Sequence, residues 1–382
     1  MSMKKYISLL LALALALSLA ACGGNDSGSG GGSGSGDTQT SAPSGGDSGS
    51  AAEPSGSGAA ATAGVCWYNF ADTFISSARQ TLEGIAAADG TISVSCADSQ
   101  GAVETQTSNM NNFFTQDVKY LVLNNINTNA ISEICNQGEE AGVTMIFANT
   151  DSPADEDFAA HENLYFVSSR AEQSGQIMGE ALLKYWQEHP EADRNGNGQL
   201  DYIMLLGMQG NYDTIMRSSK SLEVLENAGI ALNCLGGDQV CEWSRATAQE
   251  KVAALLANYS DDLDAVISCN DDMALGAIEA LKAGGFFNGG AYIPVCGVDA
   301  TAVGVEAIQE GTLLVTSLNN PVSLAKGIYK VMYLLENGQE VNTANVGLEG
   351  LEVEGHRVWI NYTAITADNV ADATYDITDT DF

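Results

Sequence analysis

The sequence predicts an α/β protein of two similar lobes, each a doubly wound parallel sheet with helices on both faces. Two observations carry this expectation. Short apolar runs alternate with helix-length segments from residue 63 almost to the end of the chain, the pattern that places parallel strands beneath crossover helices. That stretch is also about 320 residues long, more than one hydrophobic core usually holds.

The elements follow in order. Residues 64–68 read as a buried strand, and Phe74, Ile75, Ala78, Leu82 and Ile85 follow at the spacing of one helix face. Further strands are expected at 92–96, 120–124, 144–148, 202–207, 231–235, 265–269 and 293–298. Helical stretches fill the gaps, among them 175–187, 246–256, 273–282 and 324–335.

The N-terminal residues point to export. Lys4 and Lys5 form a positive start, and residues 9–19 form an apolar run. That run has the length of a signal-peptide core and is too short for a membrane-spanning helix. Leu19-Ala20-Ala21-Cys22 resembles the lipobox of bacterial lipoproteins, which implies removal of residues 1–21 and lipidation of Cys22. Residues 22–62 then form a tether rich in Gly and Ser, which buries too little apolar surface to fold. A coil of roughly 40 residues reaches roughly 35 Å.

The formal net charge of −34 leaves no basic face to neutralise phosphates, which excludes nucleic acid as a partner. Eight cysteines include no CxxC pair, so a cysteine metal or redox centre is not expected. Cys66, Cys96, Cys269 and Cys296 sit in apolar runs as small hydrophobes. Cys234 and Cys241 are near enough in sequence to pair, and the sequence leaves that open.

In open parallel sheets, ligands sit beyond the carboxyl ends of the strands. There the chain repeatedly places Asp, Asn or Arg: Asp72, Asn149, Asn211, Asp213, Arg217, Asn270, Asp299 and Asn319. Any one of these could be a helix cap or turn residue. As a set they read as a binding site, because caps require neither Arg217 one turn after Asp213 nor the aromatics Phe74 and Trp243 near the same edges.

With those residues in view, the chain from about 63 to 369 resembles the type I periplasmic binding proteins, most of all their galactose/glucose-binding branch. The carrying motifs are Asp72-Thr73-Phe74, Phe147-Ala148-Asn149, Gly210-Asn211-Tyr212-Asp213 with Arg217, Trp243, the run from Asn270 to Lys282, Gly297-Val298-Asp299-Ala300 and Leu318-Asn319. The resemblance implies that Phe74 and Trp243 sandwich a pyranose ring. It implies that Asp72, Asn149, Asn211, Asp213, Arg217, Asn270, Asp299 and Asn319 hydrogen-bond its hydroxyls. The family carries His where this chain has Asn211, which leaves the identity of the hexose open.

A second motif, Asp193, Asn195, Asn197 and Gly198, reads as the opening D-x-N-x-N-G of a calcium loop. Position twelve is Met204, not the closing Glu of an EF-hand. The resemblance implies closure instead by the Gln199 carbonyl, by Asp201 and by a distant acid, Asp264, where the family usually has Glu. The expected role of Ca2+ is structural.

The resemblance further implies a three-segment hinge, with crossings near 168–170, 318 and 355. The first lobe would be 63–168 with 320–355, the second 171–317 with 357–369, and 370–382 an acidic, solvated tail. The expected protein is a monomeric, non-enzymatic sugar-binding lipoprotein on the outer face of the cell membrane. Its partners would be a monosaccharide, D-galactose or D-glucose, and the permease and ATPase of an ABC importer. A chemotaxis receptor subunit binding the same sugar, or a glycoside-processing enzyme using paired aspartates, are the alternatives.

Overall fold

The structure, a computed structural model, describes residues 60–289 and 291–382; the expected signal peptide, Cys22 and nearly all of the tether lie outside them. The chain first builds β1 (Ala61–Trp67), α1 (Thr73–Asp89), β2 (Ile92–Asp98), α2 (Val103–Thr115), β3 (Tyr120–Leu123), α3 (Ile131–Glu140), β4 (Thr144–Ala148), α4 (Asp155–Ala160) and β5 (Leu164–Ser169). It then crosses to a second unit: α5 (Ala171–Glu188), β6 (Gln199–Leu206), α6 (Tyr212–Asn227), β7 (Ala231–Cys234), β8 (Gln239–Val240), α7 (Arg245–Tyr259), β9 (Ala265–Ser268), α8 (Asp271–Ala283), β10 (Val295–Val298), α9 (Ala302–Gln309) and β11 (Val315–Leu318). It returns for α10 (Pro321–Glu336), α11 (Thr343–Val346), β12 (Leu351–Glu354) and β13 (Arg357–Ile360), and crosses again for β14 (Thr363–Ile365).

Two sheets result. The first has the order β12-β13-β5-β4-β3-β1-β2 and the second β14-β11-β10-β9-β6-β7, with β8 also paired to β6. All pairs are parallel except β12 on β13 and β14 on β11. Both faces of each sheet are covered, as parallel sheets require. In β1, Val65 and Trp67 pack with Ile75, Leu82 and Ile328 on one face, while Cys66 packs with Met110 and Phe113 on the other. In β6, Ile203 and Leu205 face α7 and α8, while Tyr202 and Met204 face α5. The two-lobed architecture expected from the alternating pattern is therefore present.

The crossings differ from expectation at one place. Gly355, in a left-handed conformation (φ 61°), turns the β12–β13 hairpin, and β13 then lies parallel against β5. Residues 357–360 thus belong to the first lobe, not the second, and the third crossing is at Asn361 and Tyr362. The other two crossings fall at Ser169–Ala171 and Leu318–Pro321.

The acidic tail is not a solvated end. Ala373 is buried against Leu318 and Ile365 of the second lobe. The segment beyond returns to the first lobe, where Thr81 Oγ1 donates to the Ile377 carbonyl at 3.1 Å and Lys326 pairs with Asp379 at 2.6 Å. Phe382 packs edge-on against Tyr329 and Tyr333, with ring centroids at 4.8 and 5.2 Å. The carboxylates point outward while the few apolar residues between them find partners, so composition alone misjudged the segment. Among the described residues all seven cysteines are free thiols, and no helix is long and apolar enough to cross a membrane.

Candidate functional site

The strand ends of both sheets converge on one cleft. A small cavity lies there, in about 330 Å³ of space that includes open solvent. The first lobe contributes Tyr68, Asp72, Phe74, Ile75 and Asn149; the second contributes Asp213, Arg217, Trp243, Asn270 and Asp299; Asn319 stands at a crossing. Nine of the ten residues expected to hold a sugar line this space. Hydrogen bonds from Thr73 Oγ1 to Asp272 (2.9 Å) and from the Tyr212 amide to Asp151 (3.0 Å) hold the lobes together over it.

Each side chain is placed by a local device. Asp72 caps α1: one oxygen accepts from the Ile75 amide at 2.9 Å and the other from the Tyr68 hydroxyl. Asn270 caps α8 through its carbonyl oxygen, which accepts from the Met273 amide at 2.9 Å and leaves its NH2 group for the cavity. Asp213 and Arg217 lie one turn apart on α6 and pair at 3.2 Å. The guanidinium also donates to the Cys269 carbonyl (2.8 Å) and the Tyr362 hydroxyl (3.0 Å), and lies 4.0 Å from Asp299. Its Nε is buried without a partner. Asn319 bridges the crossings by accepting from Ser169 Oγ at 2.8 Å.

Three of these residues sit in backbone that L-amino acids rarely adopt. Asn149 has φ 70°, Trp243 φ 65° and Asp299 φ 114°. Such conformations cost about 1–3 kcal/mol each and persist only where the surroundings enforce them. At Trp243 the space is also prepared: a Cβ on Gly207 would come within 2.2 Å of the indole, so only glycine there admits the ring.

The electrostatics are lopsided. Asp213 and Asp299 are buried and Asp72 is half-buried, and only Arg217 among the cavity-lining residues is cationic. Burial raises the Asp72 and Asp213 carboxyls above the usual range, and the Asp299 carboxyl well above it although Arg217 pulls the other way. Carboxylates short of donors, a guanidinium N–H short of an acceptor and two aromatic faces suit a neutral ligand rich in hydroxyls, each both donor and acceptor. They do not suit an anion.

A periplasmic binding protein domain model matches residues 63–340. The chain belongs to the periplasmic binding protein family. The D-galactose/methyl-galactoside binding periplasmic protein of Haemophilus influenzae is 31% identical over 310 residues, covering 81% of this chain and 90% of its own. A putative rhizopine-binding protein of Rhizobium meliloti is 25% identical, covering 82% of this chain and 92% of its own. Among solved structures, an ABC transporter solute-binding protein of Bacillus halodurans with bound myo-inositol matches with a TM-score of 0.68 at 25% identity, covering 83% of this chain and 98% of that one. The fold and these relatives make this chain an extracytoplasmic-type binding protein and not an enzyme.

In this periplasmic binding protein one expected ligand contact is misplaced. Asn211 does not line the cavity; it caps α6, its oxygen accepting from the Thr214 amide at 3.1 Å. Its neighbour across the cleft is Asp151, which burial pushes up to about 7. Conversely, the sequence reading missed Tyr68, Ile75 and Tyr362. Tyr68 directly follows β1, and its position at a strand end was the available signal.

The loop expected to hold calcium is built as an Asx-turn ladder. Asp193 accepts from the amides of Asn197 (3.1 Å) and Gly198 (2.9 Å), and Asn197 Oδ1 accepts from the Gln199 amide at 2.7 Å. At its floor Asp201 and Asp264 are each 1% exposed, and burial pushes Asp264 up to about 6. Arg194 does not neutralise them: its guanidinium donates to the Ser260 and Leu263 carbonyls. Yet the Asn195 and Asn197 side chains present NH2 groups, not oxygens, to Asp201. Among the described residues no three His, Cys, Asp or Glu converge as a metal set. Asp264 accepts from the Arg194 and Asp201 amides at 3.0 and 2.9 Å, and Asp201 also accepts from Asn233, so each oxygen of the pair already has a donor.

The raised carboxyls give a pH expectation. In the empty cleft Asp72, Asp213 and Asp299 hold protons more readily than ordinary aspartates, whereas hydroxyl donors favour their ionised forms. Ligand binding therefore releases protons, and affinity weakens as pH falls. Calorimetric titration in buffers of differing ionisation enthalpy measures this; proton uptake, or affinity that rises on acidification, would contradict it.

Proposed function

We propose that this chain is the sugar-capturing subunit of an ABC importer, and that its ligand is a hexose of the galactose or glucose type. The observation that carries the reading is the cavity itself: three carboxylates, two of them buried, and one guanidinium around two aromatic faces, drawn from both lobes. A pyranose offers apolar C–H faces to Phe74 and Trp243 and a rim of hydroxyls to the carboxylates and amides. The relative with 31% identity is named for D-galactose and methyl-galactoside, in keeping with that ligand.

Each lobe brings part of the site. The ligand favours the closed arrangement only by contacting both lobes, and closure is a hinge motion about the crossings. The closed form would be what the permease and ATPase recognise. Lipidation at Cys22 and the Gly/Ser tether would keep the monomeric protein at the outer face of the membrane. Ca2+ at Asp193, Asn195, Asn197, Gln199, Asp201 and Asp264 would pin the loop before β6, on the second lobe and apart from the sugar.

Titration calorimetry with D-galactose and D-glucose tests the ligand. Trp243→Ala should weaken binding by about 2 kcal/mol or more while the far-ultraviolet spectrum stays intact; unchanged affinity would remove Trp243 from the site. The metal is tested separately by thermal melting. A chelator should lower the midpoint and Ca2+ restore it, worth about 2.7 kcal/mol at a hundredfold excess over Kd, whereas an identical midpoint leaves the loop a polar turn.

A further inference from the structure

The acidic tail touches both lobes, and its contacts fall into two groups. The first group holds it to the second lobe. Val370 packs against that lobe's core, and Ala373 and Tyr375 pack with Ala300, Leu318 and Ile365. The second group holds it to the first lobe, along α1 and α10. Thr81 Oγ1 of α1 donates to the Ile377 carbonyl at 3.1 Å, and Lys326 of α10 pairs with Asp379 at 2.6 Å. Phe382 meets Tyr329 and Tyr333 of α10 edge-on, with the Lys330 ammonium 5.5 Å from its ring.

The handover between the groups is abrupt. Tyr375 packs on the second lobe, and Ile377, two residues on, is already held by the first. Two residues reach at most about 7 Å even when fully extended. Thr374, just before them, is itself extended (φ −89°, ψ 128°), so the segment keeps little slack. Thr374 and Asp376 are exposed, and with Asn320 and Ser323 they border about 690 Å³ of space that includes open solvent. Ordering a chain costs conformational entropy at every residue, so a run of Asp and Thr stays in place only through what it touches. Here that means both lobes at once.

Hinge opening turns one lobe against the other about the crossings at Ser169–Ala171, Leu318–Pro321 and 361–362. Any such turn that parts α1 from the patch formed by Leu318 and Ile365 must break one of the two groups, because the chain between them cannot stretch. Contacts made to both lobes favour the arrangement in which they form. Unlike the sugar, the tail is covalently attached and acts whether or not a ligand is present.

We propose that residues 374–382 are a strap that biases the lobes toward closure and slows release of the bound ligand. Opening without the strap costs less, so a larger share of the sugar-free protein is open. Because apparent affinity scales with the binding-competent share, the strap also tightens binding. The effect on release rests on the hexose reading of the cleft; the effect on the sugar-free protein does not.

The test compares the full chain with a chain ended after Ala373 and with the double variant Asp379→Ala/Phe382→Ala. The double variant alters only the tail, so it remains informative should the shortened chain fail to fold. Small-angle X-ray scattering without sugar should show both altered proteins more open than wild type. Saturating D-galactose or D-glucose should return all three to one compact profile. Stopped-flow fluorescence should show the sugar leaving the altered proteins about fivefold faster or more, since changes of affinity within one site fall mainly on dissociation. Identical scattering of the three proteins without sugar overturns the strap, as does unchanged dissociation, even where the thermal midpoint falls, since a purely structural tail would lower only the midpoint. If neither hexose binds, the hexose reading fails by itself, and the sugar-free scattering alone decides the strap.

Discussion

Arg217 is the charge around which the cleft is arranged. It is 4% exposed and reaches Asp213 on its own helix, the carbonyl at the end of β9, Tyr362 at the third crossing and the vicinity of Asp299 after β10. A buried guanidinium without such partners would cost far more than the fold can spare. Its environment therefore ties one helix, two strand ends and a crossing into a fixed wall. The remaining carboxylates then exceed the available cations. Their raised affinity for protons expresses that shortage of donors, which hydroxyl groups can supply without bringing a charge of their own.

This constraint explains why the ligand and the hinge belong to one mechanism. Asp72 and Asn149 are carried by the first sheet, Asp213, Arg217, Asn270 and Asp299 by the second, and Asn319 by a connection between them. Neither lobe alone completes the ring of hydrogen bonds. The Asp151–Tyr212 and Thr73–Asp272 contacts add polar latches at the cleft. The tail adds a fourth passage from the second lobe to the first, through Ala373, Asp379 and Phe382.

Much of this was legible in the sequence, and the exceptions have physical causes. Alternation of apolar runs and helices predicted two parallel sheets, and the rule that ligands lie beyond strand carboxyl ends picked out Asp72, Asn149, Asp213, Asn270 and Asp299. Asn211 misled because a polar residue before a helix has the same sequence signature whether it caps or binds, and here capping won. Tyr68 was passed over because an aromatic next to a strand reads as core. The third crossing was misplaced because Gly355 signals a turn but not which sheet receives the strand after it. The tail was misread because charge density hid Ala373 and Phe382. The positive φ of Asp299 and Trp243 has no sequence signal at all, since neither residue type announces it.

A crystal structure of the complex with D-galactose bears most directly on the central claim. The account predicts one pyranose between Phe74 and Trp243, with its hydroxyls donating to Asp72, Asp213 and Asp299 and one oxygen accepting from Arg217 Nε. A cation bridging those carboxylates, or a sugar bound elsewhere with the cleft filled only by water, would contradict it.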